Sequence, residues 1–238
     1  MRWLSRRTGI ALSVIFLVAL VVFLPMRAAL SIAGLERWGA SAREVRGTIW
    51  SGQIYQFMLG DIALGSVDGG LSPIQLLMGR ARLDVKRRTG AADDIAGALT
   101  IGLGRIGIDD VTGAVPLGRS LAPLPLSRLQ MDDVTAWFAG ERCGHAAGRV
   151  RARVSGGLPG LNLSQGLSGS IACDRDAIVL PLVSQSGMES ISLRILRSGR
   201  YAAEMRVQTA DDALAGALGQ AGFTRAGDAL LLKVEGSL

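Results

Sequence analysis

Arg80-Ala81-Arg82-Leu83-Asp84-Val85-Lys86 is the stretch on which the fold turns. Charged residues hold the even positions, and Ala, Leu and Val hold the odd ones. A period of two places each set on its own face of a strand, one in a core and one in water. The alternation returns three times. Arg149, Arg151 and Arg153 alternate with Val150, Ala152 and Val154. Ser190, Ser192 and Arg194 alternate with Ile191, Leu193 and Ile195, and Glu204, Arg206 and Gln208 with Ala203, Met205 and Val207. Further strands are expected at 44–50, 54–67, 96–103, 168–172, 177–183 and 230–235. Turn residues separate them: Gly69-Gly70, Gly156-Gly157, Leu158-Pro159-Gly160 and Arg197-Ser198-Gly199.

Helices are few. Ser72 caps one, with Pro73 at its first position and Gly79 past its end. Asp211 or Asp212 caps a second, with Leu214 and Leu218 on one face. A third is expected over 132–139, carrying Trp137 and Phe138. Loops this short leave little room for parallel crossovers. The expected class is all-β: a curved antiparallel sheet or sandwich with two or three short helices. Val45-Arg46-Gly47-Thr48-Ile49 resembles Leu167-Ser168-Gly169-Ser170-Ile171. This leaves two related halves, near 40–120 and 150–238, as an alternative to a single unit.

Upstream, residues 10–24 carry no charge, and twelve of the fifteen are Leu, Ile, Val or Phe. At roughly 0.3–0.6 kcal/mol each, they favour membrane insertion by about 4–7 kcal/mol. Fifteen helical residues rise only ~22 Å, short of a ~30 Å hydrocarbon core, and extension to 8–26 brings the rise to about 28 Å. Arg2, Arg6 and Arg7 precede the segment, and the first acidic residue is Glu36. The positive-inside rule keeps such an N-terminus in the cytoplasm and exports the chain downstream of the segment. The expected organisation is a cytoplasmic N-terminus at 1–7, a transmembrane helix at 8–26, a linker at 27–40 and a β-rich periplasmic domain at 41–238 of an inner-membrane protein. The competing reading is a signal peptide cleaved after Ser31-Ile32-Ala33, so that the mature chain starts at Gly34.

Aromatic content is 5%, so the core is built from aliphatic residues. Net charge is +6, and Lys86 and Lys233 are the only lysines. This Arg, Ala and Gly bias reads as that of a GC-rich genome. The basic residues come without a nucleic-acid motif, so no nucleic-acid partner is expected.

Cys143 and Cys173 both lie in the exported part, where one bridge is favoured over two free thiols. Cys143-Gly144-His145 offers a metal or nucleophile site only in outline, because the chain has a single His. Gly102-Leu103-Gly104-Arg105-Ile106-Gly107 matches a dinucleotide fingerprint. A cofactor site would need a helix after it, whereas Ile108-Asp109-Asp110-Val111-Thr112-Gly113 reads as a turn. Four acidic doublets, Asp93-Asp94, Asp109-Asp110, Asp132-Asp133 and Asp211-Asp212, are expected at element boundaries. Asn162-Leu163-Ser164 is a formal glycosylation sequon. No catalytic, metal or cofactor site and no small-molecule substrate is expected. Arg149, Arg151 and Arg153 form either a solvated strand face or a basic interface.

The most distinctive stretch is Val45-Arg46-Gly47-Thr48-Ile49-Trp50-Ser51-Gly52, about twenty residues after the hydrophobic segment. It leads to Leu71-Ser72-Pro73-Ile74-Gln75-Leu76-Leu77-Met78-Gly79-Arg80. This layout resembles the type II secretion system protein N family, with its early Gly-Thr-x-Trp-Ser-Gly box and its short helix followed by Leu-Leu-x-Gly and a strand. Many members carry a Trp shortly before the Pro helix, where this chain has Asp68-Gly69-Gly70-Leu71. The resemblance implies a non-enzymatic, inner-membrane-anchored subunit that binds other secretion subunits and helps folded proteins leave the periplasm. Gly47, Thr48, Trp50, Ser51 and Gly52 are then either a packing motif or a docking surface. The alternatives are a membrane-anchored lipid- or lipopolysaccharide-handling β protein with an apolar groove, and an envelope hydrolase, which the lack of a triad disfavours.

Overall fold

The computed structural model describes residues 2–33, 40–59, 62–87, 94–102, 104–117, 121–154, 163 and 165–237. The expected turns at 156–160, the sequon residues Asn162 and Ser164, Asp93 and the start at Gly34 lie outside them.

Helices α1 (Arg2–Val22) and α2 (Met26–Ala33) open the chain. The strands are β1 (Ala40–Ser41), β2 (Glu44–Thr48), β3 (Ser51–Leu59), β4 (Ile62–Leu71), β5 (Arg80–Arg87), β6 (Ile95–Gly102), β7 (Arg105–Pro116) and β8 (Leu126–Ala139). They continue with β9 (Arg142–Val154), β10 (Leu167–Ser170), β11 (Ala172–Asp174), β12 (Ala177–Ser184), β13 (Glu189–Leu196), β14 (Arg200–Gln208), β15 (Thr224–Ala226) and β16 (Ala229–Ser237). Helix α3 (Pro73–Leu77) joins β4 to β5, and α4 (Asp212–Gln220) joins β14 to β15. All sixteen strands belong to one sheet, ordered β1-β3-β4-β5-β6-β7-β8-β9-β10-β12-β13-β14-β16-β15, with β2 on β3 and β11 on β12. Every pairing between them is antiparallel.

The four alternating segments are β5, β9, β13 and β14. Other expectations are corrected. The single strand at 54–67 is the hairpin β3–β4. The helix at 132–139 is the end of β8: Val134, Ala136 and Phe138 are buried on one face, and the segment pairs with β7 and β9. The turn at 108–113 is the interior of β7.

The helix expected over 8–26 ends at Val22, because Pro25 cannot continue it and drives Leu24 out of helical geometry. Among the described residues no helix is long and apolar enough to cross a membrane. Helix α2 starts at Met26, the last residue of the expected transmembrane helix, and runs into the stretch expected as a linker.

A line of bulges bends the sheet. Asp110 and Asp133, at φ 54° and 53°, sit at register shifts in β7 and β8. Each bulge N–H is satisfied by the neighbouring strand: Asp110 N–H donates to Thr135 Oγ1 at 3.0 Å, and Asp133 N–H to Thr112 Oγ1 at 3.1 Å. A bulge adds a residue, switches the inward parity and strengthens the twist. Leu129 and Met131 therefore pack on the core before Asp133, and Val134 and Ala136 after it. These two doublets sit inside strands, not at element boundaries. Asp211 does cap α4, its Oδ1 accepting from Ala213 N–H and Leu214 N–H. Ser72 holds the N-cap position of α3 without a side-chain cap bond.

From β12 to β16 the inner face is continuous. Leu182 pairs with Ile191, Ile191 with Met205 and Met205 with Leu232, and all four are buried. Leu117, Leu121, Leu124, Leu163, Leu218 and Phe223, from outside the strands, close over the same cluster. A second, smaller cluster joins Met26 to Ile54 and Val67.

Candidate functional site

Residues 47–52 form the turn of the β2–β3 hairpin. Thr48 pairs with Ser51, and Ile49 and Trp50 make the loop. Gly47 has φ +88°, and a Cβ there would lie 2.5 Å from Ser51 O, so only glycine fits.

The hairpin grips the break between α1 and α2. Trp50 Nε1–H donates to Val22 O at 3.0 Å and to Val21 O at 3.2 Å, two carbonyls of the last turn of α1 that Pro25 and the helix break leave without the usual i+4 donor. Ile49 N–H donates to Leu24 O at 3.1 Å, and Pro25 bridges to Thr48. Met26, 2% exposed, then enters the sheet. A Cβ on Gly52 would come 2.2 Å from Met26 Sδ, so the glycine is the floor of the methionine seat. Gly69 lies against Met26 from β4, and Gly70 leaves room for Trp50 O, 2.3 Å from its ideal Cβ position. The Asp68-Gly69-Gly70 stretch is thus the far wall of this socket. Sequence reasoning found the box and missed what fills it. The available signal was a proline and a methionine placed directly after an apolar run.

Beside the socket, the outer face of the sheet forms an open cleft of ≈ 830 Å³. Arg46, Gln53, Asp68 and Lys86, in register across β2 to β5, line it with mixed charge.

The predicted basic face is on the outer side of β9. Arg149 is engaged: its Nη2 lies 2.7 Å from Asp132 Oδ2, and this hydrogen bond and the carboxylate charge raise its pKa. Arg151, opposite Gln130, and Arg153, opposite Arg128, line the same face, with Arg151 exposed and Arg153 beside the end of the strand. Cys143 and Cys173 form a disulfide, with Cα atoms 5.5 Å apart, tying β11 to β9. His145 stacks on Trp137 with ring centroids 6.1 Å apart, and the Arg105 guanidinium lies over the same indole, 4.4 Å from the ring centroid. Gly107, last of the G-x-G-x-x-G match, is opposite Trp137, whose Cβ would be 2.4 Å from a Cβ there. The motif is a hairpin with Gly104 at φ +72°, leading into a strand.

One buried cation was missed. Arg87 is 6% exposed and donates to Leu64 O of β4 at 2.9 Å and to Ala114 O of β7 at 2.8 Å. It clamps together two strands that have two others between them in the sheet.

Fold and site define a class: a large antiparallel β-sheet protein whose early glycine-tryptophan hairpin is a socket for an N-terminal helix pair. Residues 39–232 match the family described as type II secretion system (T2SS), protein N, and the chain belongs to that family. Membership makes it a component of type II secretion, associated with the cell envelope. No curated protein and no solved structure matches the chain.

Proposed function

We propose that the protein is a non-enzymatic, inner-membrane-anchored subunit of the type II secretion system. It holds a periplasmic β-sheet at the membrane as an adaptor for other secretion subunits during export of folded proteins. The socket carries this reading. It uses the family box, Gly47 to Gly52, to join helix and sheet, as a rigid tether requires. Helix α1 supports the anchor. Ile10, Leu12, Ile15, Phe16, Leu17 and Leu20 are all exposed, and a helix apolar on every side belongs in a non-aqueous setting. Arg residues before it favour a cytoplasmic N-terminus and a periplasmic sheet.

Because Trp50 is occupied by α1, the outer face at Arg151 and Arg153 is the better adaptor surface. Photocrosslinkers placed at these two positions in secreting cells are expected to capture another secretion subunit. Capture of none from either position, with the protein present at normal levels, overturns the adaptor role.

A further inference from the structure

The end of the sheet from which α1 departs carries a second apolar surface. Leu71 N–H donates to Ile49 O at 2.7 Å, so α3 starts beside the turn that grips α1. Helix α3 has its polarity reversed: Gln75 is half-buried, while Leu77 is 91% exposed, Met78 67% and Ile74 64%. Ile101, 50% exposed, faces Ala81 at the adjoining end of β6. Phe23, just past the end of α1, is 73% exposed. Several large apolar side chains exposed at one end of a sheet mark a face that something covers.

We propose that this end of the sheet rests in the surface of the phospholipid bilayer that receives α1, with Ile74, Leu77 and Met78 in the interfacial layer and Arg80 among the headgroup phosphates. The inference rests on α1 being a membrane anchor. Two observations select lipid as the occupant. The patch sits beside the end of α1: Leu71, just before α3, donates to Ile49 O, and the next residue, Trp50, donates to the carbonyls of Val21 and Val22. The uncharged stretch of α1, residues 8–22, rises about 22 Å against a hydrocarbon core of ~30 Å. A span that short is accommodated by local thinning of the bilayer, which brings the headgroup layer towards the end of the sheet from which α1 departs. Arg80 is exposed at the base of α3, where a cation meets anionic headgroups.

The test uses the full, oxidised chain in phospholipid vesicles, with one thiol-reactive fluorophore on Leu77→Cys, Phe16→Cys or Met188→Cys. Met188 is exposed in the β12–β13 turn at the opposite end of the sheet. The native cysteines are bridged, so the introduced thiol alone takes the label. Lipids brominated on the acyl chain are expected to quench the label at Leu77 several-fold more than at Met188. Equal quenching at these two positions overturns the proposal, whatever Phe16 does, and leaves the patch as a protein-binding surface. Absence of quenching at Phe16 overturns the anchor instead, so the two readings fail separately.

Discussion

Arg87 shares the odd positions of β5 with Leu83 and Val85, so alternation alone aims it at the core. Burial of a guanidinium is tolerated because its N–H groups meet the carbonyls of Leu64 and Ala114. Arg87→Met keeps much of the volume and leaves those carbonyls unpaired, which costs about 2–4 kcal/mol. Urea denaturation should show that loss, and an unchanged midpoint would mean that water replaces the clamp. Gly52 poses the opposite problem. Gly52→Ala drives a methyl into Met26 Sδ and, at 2.8 Å, into Arg46 O, and such overpacking costs about 1–3 kcal/mol. Pairing it with Met26→Ala removes only the first clash. The double variant is therefore expected to recover part of the loss at most, and full recovery would show that the backbone contact does not matter.

At the scale of elements, β5, β13 and β14 were legible because their parity does not change. Within β5, β13 and β14 no register shift occurs between paired residues of adjoining strands β5–β6, β12–β13 and β13–β14. Strand β8 was unreadable because the Asp133 bulge swaps its inward face, and the adjacent Trp137 and Phe138 then mimic a helical stripe. The socket was half legible. Its glycines and Trp50 stand out, but their partner is a helix break whose docking no periodicity reports.

The β11 element tests how a small strand is held. The Cys143–Cys173 bridge closes a separation of 30 residues, and loop entropy assigns such a bridge about 3–4 kcal/mol. Reduction should lower the unfolding midpoint accordingly. Arg194 adds an ion pair to Asp174, and this hydrogen bond, then the charge, hold the Asp174 carboxyl below the usual carboxylate range. A depressed folded value means the contribution is present at neutral pH and fades as pH falls below about 4. Amide protection in β11 should drop across that acid range. In Asp174→Asn it should already be lower at pH 7, with a smaller acid step. An equal step in both would assign the acid sensitivity to other groups.

For the whole molecule, the decisive fact is that the two apolar clusters have different owners. The buried residues of the large one, from β7 to β16, all lie after position 110. The small one needs Met26, with Leu30 packed against it, to cover Ile54 and Val67. Burying a methionine side chain is worth about 1.5–3 kcal/mol, a large share of what a small cluster supplies. Cleavage after Ala33 would remove both helices and uncover that face. The mature protein is therefore expected to retain Met26, and N-terminal sequencing from membranes should find no chain starting at Gly34. Hydrogen exchange on a chain of residues 34–238 gives the structural counterpart. Protection should fall in β2, β3 and β4 and stay at the full-length level in β12, β13 and β14. Equal protection in β2–β4 with and without the helices would show that the socket is filled by something other than Met26, and would reopen the cleaved form.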